Sequence, residues 1–183
     1  MTPLGNSKER YGAIAMLFHW SMAALLIGLA ALGLYMIGLP DVGFTTLKVT
    51  LVIYHKEFGL LAFALLALRL SWRITHVLPG LVEAMPQWQQ IAAQFLQLLL
   101  YALIAALPIS GYLMSSAAGI PVSLFGVATL PDLVHRSDDE FRRYAIIHQW
   151  LAYLLMACVI AHIAAALKHH FVDKDRTLRK MLP

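Results

Sequence analysis

The chain has 183 residues, enough for one ordinary domain, of which 60% are hydrophobic and only 13% charged. A soluble domain carries about 25% charged residues, so a water-soluble enzyme, a nucleic-acid module and a disordered tail are all excluded. The net excess of +4 belongs to membrane topology, and the single cysteine, Cys158, permits neither an intramolecular disulfide nor a CxxC metal site.

Thirty residues without formal charge separate Arg10 from Asp41. A membrane span needs about 20 apolar residues and a cleaved leader core only 7–15, so the first element is a transmembrane helix over 13–37. A turn over 38–43, rich in Gly and Pro, ends it. The second span is less obvious, because Phe58 to Leu68 is only eleven uncharged residues. A helix over 50–72 becomes long enough if Lys56 and Glu57 lie near one interface and Arg69 and Arg73 near the other, where long basic stems reach the headgroups. Leu78-Pro79-Gly80 and Met85-Pro86 mark the connecting loop.

The next uncharged stretch is broken by Gly119-Ile120-Pro121, which leaves a third helix over 91–114 with Pro108 kinking its last turns. Residues 115–143 read as a longer polar loop, with a short interfacial helix around 122–127. The fourth helix covers 144–167, and the mixed-charge tail from Lys168 is helical or frayed in water. The expected fold is an all-α integral membrane protein, a four-transmembrane-helix bundle forming one domain over 1–183.

Orientation follows from counting Lys and Arg on each side. Lys8, Arg10, Arg69, Arg73, Lys168, Lys174, Arg176, Arg179 and Lys180 make nine on one side, against five on the other: Lys48, Lys56, Arg136, Arg142 and Arg143. With four acids on the first side and six on the second, the sides carry +5 and −1. The richer side is cytoplasmic, so both termini face in.

Four of the eight histidines fall within the spans: His19, His55, His148 and His162. Ionisable side chains in a bilayer are costly and face the bundle interior with a partner. His19 and His162 lie at similar depth near the inner ends of helices one and four. His55 and His148 lie near the outer ends of helices two and four. The fourteen residues between His148 and His162 advance a helix by about 21 Å and return it to within roughly 40° of the same face. Both rings therefore face one interior but cannot share one ion. The spacing suits two large flat cofactors, each clamped by a ring on either side, as in haem held by two imidazoles. The two irons would stand about 20 Å apart. With both axial positions filled, electron transfer rather than oxygen chemistry is expected. A chain of histidines can also serve a proton relay, so a transporter remains open at this point. The small residues Gly28, Gly33, Gly59 and Ala164-Ala165-Ala166 suit either a cofactor-filled core or close helix approach.

Phe18-His19-Trp20, then His55 with Gly59, then Arg69 and Arg73, resemble the prokaryotic cytochrome b561 family. Gly111-Tyr112 after Pro108, His148, His162 and the ending Lys168-His169-His170-Phe171, Asp173-Lys174-Asp175, Thr177-Leu178 and Met181 extend the resemblance over essentially the whole chain. It implies a small four-helix protein of the bacterial inner membrane with two non-covalent haems b, working with ubiquinone. It also implies that His19, His55, His148 and His162 are the axial ligands. The wider superfamily includes cytochrome b subunits of hydrogenases and formate dehydrogenases, and a superoxide oxidase that passes electrons to ubiquinone.

Arg69 lies fourteen residues after His55, at the inner level, where it can pair with a haem propionate. His169, two turns beyond His162, can exchange protons with a quinone near neutral pH. The remaining histidines, His76, His135 and His170, read as solvated, Cys158 as a packing residue, and Trp20, Trp72 and Trp150 as interface anchors. The leading reading is an electron carrier between an outer donor and ubiquinone. The donor is a periplasmic redox protein or superoxide; Asp138, Asp139 and Glu140 oppose the arginines near His148, which weakens an anion funnel. The alternatives are a superoxide oxidase, the cytochrome anchor of a larger dehydrogenase, and a haem-free proton channel.

Overall fold

The structure, a computed structural model, describes residues 3–39, 46–80 and 85–182. Of the expected turn over 38–43, residues 40–43 lie outside the described residues, as do 81–84 of the connection after the second helix. Four helices carry the fold: α1 (Ala13–Ile37), α2 (Thr46–Thr75), α3 (Gln87–Ala117) and α4 (Asp138–Phe171). Each is long and apolar enough to cross a membrane.

Three of the helices outrun their apolar cores, and α4 shows why. At 34 residues it measures about 50 Å against a hydrocarbon layer of about 30 Å. Its extra turns are polar and locally stabilised. Ser137 caps the start by accepting from the Glu140 amide at 3.3 Å, with Asp138, Asp139 and Glu140 in the first turn and Lys168, His169 and His170 in the last. Acids at the positive end of the helix dipole and bases at the negative end each favour extension.

The segment expected as an interfacial helix around 122–127 is instead an antiparallel hairpin, β1 (Val122–Leu124) and β2 (Ala128–Leu130). Phe125 and Gly126 both have positive φ, 50° and 72°, and the Val127 amide donates to the Leu124 carbonyl at 2.9 Å. Two successive left-handed residues make the tight turn whose twist matches a hairpin, and no helix can pass through them. The Phe125 ring meets Phe58 of α2 edge-on at 5.7 Å between centres. Lys56 reaches the same region, donating to Ser115 Oγ and the Pro121 carbonyl, each at 3.1 Å. Tyr112 Oη donates to the Pro131 carbonyl beyond it.

α3 packs along α4, α1 along α2, and α2 along α3, whereas α4 has scarcely any close backbone approach to α1 or α2. The largest buried cluster, Leu103, Leu155 and Cys158, accordingly sits between α3 and α4, with Leu99, Leu107 and Leu151 around it. Leu26 of α1 reaches that cluster, and the histidines of α1 and α2 face those of α4.

At the inner end the N-terminal segment, the α2–α3 connection and the tail are woven together. The Tyr11 amide donates to the Lys180 carbonyl at 3.2 Å and the Gly80 amide to the Lys8 carbonyl at 3.2 Å. Arg10 donates to the Leu182 carbonyl at 3.0 Å, Trp20 Nε1 to the Met181 carbonyl at 2.9 Å, and Lys180 Nζ to the Gly80 carbonyl at 2.7 Å. From Lys168 the tail stays helical to Phe171 as the end of α4, and beyond it is tied down rather than frayed, ending in a 3₁₀ turn over Leu178–Met181. Gly12 permits this weave, since a Cβ there would stand 2.3 Å from the Gly5 carbonyl oxygen. Gly12→Ala should therefore push the N-terminal segment off, at a cost of about 1–3 kcal/mol. A lowered apparent melting temperature in detergent and faster proteolysis before residue 12 are the expected readouts. Wild-type values for both would mean the segment is not held by this contact.

Candidate functional site

The four intramembrane histidines meet in two pairs. His19 of α1 faces His162 of α4 with ring centres 6.2 Å apart, and His55 of α2 faces His148 of α4, also at 6.2 Å. The equal separation has a chemical meaning. An imidazole nitrogen binds a first-row metal ion at about 2 Å and its ring centre lies about 1 Å further out, so rings on opposite faces of one ion stand about 6 Å apart.

The outer pair is set into glycines. A Cβ on Gly33 of α1 would touch His55 Cε1 at 3.5 Å, and a Cβ on Gly111 of α3 would press His148 Cε1 at 3.3 Å. Because Gly111 lets the ring lie against α3, His148 Nδ1 comes within 3.2 Å of the Leu107 carbonyl and 3.0 Å of Ser110 Oγ. Donation from Nδ1–H to the carbonyl fixes the tautomer and leaves the Nε2 lone pair toward the interior, the usual arrangement of a metal-bound histidine. His55 Nδ1 is buried without a partner. Gly59 lies one turn beyond His55 on nearly the same face, and a Cβ there would meet nothing within 4 Å. The stand-off of α4 from α2 suits a flat group between the rings rather than tight helix contact.

The inner pair is dressed differently. Arg69 donates from one Nη to His19 Nδ1 at 3.1 Å and from Nε to Tyr101 Oη at 3.3 Å. Arg73 donates to Gln97 Oε1 at 3.0 Å, and both guanidiniums lie 5.7 Å from the Tyr101 ring centre. A guanidinium only donates, so His19 Nδ1 accepts and its proton sits on Nε2. Nε2 becomes a ligand once Arg69 releases the ring and the proton moves to Nδ1. With that one change, the residues present at both levels fit an iron porphyrin held by paired imidazoles.

His169, further along α4, is buried with 9% of its surface exposed. Its Nδ1 donates to Asp175 Oδ2 at 2.7 Å and lies 3.0 Å from Asp173 Oδ2, while Lys168 Nζ pairs with Asp173 at 2.7 Å. The Thr177 amide donates to the other Asp175 oxygen at 2.7 Å. Burial opposes charge on Asp175, but the hydrogen bonds from Thr177 and His169 outweigh it and hold the carboxyl below its ordinary range.

Sequence reasoning did not find Tyr101, Gln97, the Leu107 carbonyl or the carboxylates on His169. Pro108 followed by Gly111, and two aspartates in a basic tail, were the signals. His170 is not solvated as expected: it is half-buried, its Nδ1 lacks a partner, and its ring meets Phe171. His76 is exposed but stacked on Trp72 at 3.6 Å.

The family model that matches, prokaryotic cytochrome b561, covers residues 10–183. Cytochrome b561 homolog 2 of Escherichia coli (strain K12) is 37% identical over 177 residues, 97% of this chain and 93% of that protein. Cytochrome b561 homolog 1 of the same organism is 31% identical over 131 residues, 70% of this chain and 73% of the relative.

The Asp175 arrangement has a pH signature. A depressed carboxyl lends stability that is complete above its unfolded value, 3.8, and drains as pH falls through the lower folded one. Amide exchange across 172–182 should accelerate in wild type only below about pH 4, and Asp175→Asn should show the fast exchange already at neutral pH. If the variant keeps the wild-type profile, the carboxylate does not hold the tail.

Proposed function

Because the chain belongs to the prokaryotic cytochrome b561 family, we propose that it passes electrons between a donor at the outer face and membrane ubiquinone. His19 and His162 would hold an inner haem b, and His55 and His148 an outer one. Membership makes it a multi-pass bacterial membrane cytochrome b. Held by these histidines, haem would supply one-electron transfer chemistry. The observation that carries the reading is the pair of 6.2 Å ring separations on two levels of one bundle. A proton relay has no need for two such spacings, nor for the stand-off of α4.

The chain's own residues divide the work. The Leu107 carbonyl and Gly111 orient His148, and Gly33 lies against the His55 ring. Arg69 supplies positive charge at the inner level, where a propionate oxygen can replace His19 as its partner. His169, with Asp175 on one nitrogen, keeps its other nitrogen to give or take a proton at a quinone oxygen. The excess of Lys and Arg puts both termini in the cytoplasm. At the outer face Asp138, Asp139 and Glu140 stand with Arg142 and Arg143, and Arg142 is paired with Asp139 at 3.1 Å, so acids and bases are mixed where an anion funnel would need an excess of positive charge.

Pyridine haemochrome analysis should find two haems b per chain. His19→Ala and His162→Ala should remove one component of the redox-difference spectrum, and His55→Ala and His148→Ala the other. If His148→Ala and His162→Ala delete the same component and spare its neighbour, the pairing is wrong. Separately, His169→Gln should slow ubiquinone reduction about 10²-fold with both haems retained. Loss of a haem in that variant would make His169 structural instead.

A further inference from the structure

The inner end of α1, α2 and α3 forms a cavity of about 30 Å³ beside Arg69. Arg69, Arg73, Trp72, Asn6, Gln97 and Tyr101 are among the residues lining it. Two guanidiniums face it, and among the described residues neither has a carboxylate within ion-pair distance. Two further donors are buried with nothing to bond: Trp72 Nε1 and Asn6 Nδ2. Asn6 Oδ1 is already taken by the Gly12 amide at 3.0 Å, so only its donor side is free. Tyr101 Oη and Gln97 Oε1, the neutral acceptors at hand, are engaged by the arginines. Unpartnered buried donors are exceptional and call for a partner. Two unpaired cations beside them define its charge.

Size narrows the chemistry. A water-sized group occupies about 10–15 Å³ on this measure, so the cavity holds about two oxygens and not a quinone ring. We infer that this cavity receives one anionic oxygen group, a carboxylate or a phosphate, bound by Arg69 and Arg73 with the Trp72 indole N–H and the Asn6 amide as further donors. Two sources present that chemistry at this depth: a propionate of the inner haem and the headgroup of an anionic phospholipid. The first rests on the haem reading above, and the second does not. Either occupant would draw Arg69 away from His19, the release that ligation by that ring requires.

The test uses the full-length protein in detergent as wild type, Arg73→Gln and Trp72→Phe. Two quantities are read: the rate at which haem passes to an excess of an acceptor protein, for protohaem and for its dimethyl ester, and the phospholipid phosphorus retained per chain. Arg73→Gln is expected to speed loss of protohaem about tenfold, with a smaller increase in Trp72→Phe, and to leave the ester's rate alone; the group is then the haem carboxylate. Loss of about one phosphorus per chain with haem retention unchanged identifies the lipid phosphate instead. If neither quantity moves in either variant, the inference is overturned. Should Arg73→Gln fail to fold, Trp72→Phe, which removes the N–H and keeps an aromatic ring, decides alone. Protein that binds no haem at all would sink the haem reading while the phosphorus count still judges the cavity.

Discussion

Hydrocarbon offers a histidine ring no hydrogen-bond partner, and the arrangement of this bundle follows from that lack. Each ring nitrogen inside the membrane must find a carbonyl, a cation or a metal, or bear the cost of going without. The chain concentrates four such rings at two levels and opposes them in pairs at the same separation. To do so it holds α4 away from α1 and α2, while α3 and α4 pack closely around Leu103 and Leu155. The thin apolar core is the counterpart of that stand-off.

The two levels are built from different materials. The outer pair rests on glycine and backbone, with Gly33 and Gly111 as seats and the Leu107 carbonyl as orienting acceptor. The inner pair is surrounded by guanidinium, phenol and amide side chains, with Arg69 on His19 itself. A cationic setting bears more strongly on a centre that gains an electron than a neutral, backbone-lined one. Cationic surroundings stabilise the reduced form.

Much of this was legible in the residues. Uncharged runs bounded by Arg and Lys located the spans, because charge in hydrocarbon is costly over any length. The fourteen-residue interval between His148 and His162 needs only helix rise and twist to assign the levels. What escaped depends on contacts between distant segments. Nothing local announces that Arg69 reaches His19, or that Lys180 meets Tyr11. The hairpin after α3 was missed for a different reason. Val122 to Val127 is apolar enough for an interfacial helix, and the left-handed backbone at Gly126 and at Phe125, a residue that rarely adopts it, reverses the strand. Helix ends were underestimated because polar turns stabilised by caps and dipoles carry no hydropathy signal.

The weave before α1 is a late contact in the folding sense. Residues 10–20 take their partners from residues 180–182, and the Lys8 carbonyl takes the Gly80 amide, so the segment ahead of α1 is held by groups that meet only when the helices already stand side by side. Such a latch, closed across more than a hundred residues of chain, reports on assembly of the whole bundle rather than on any one helix.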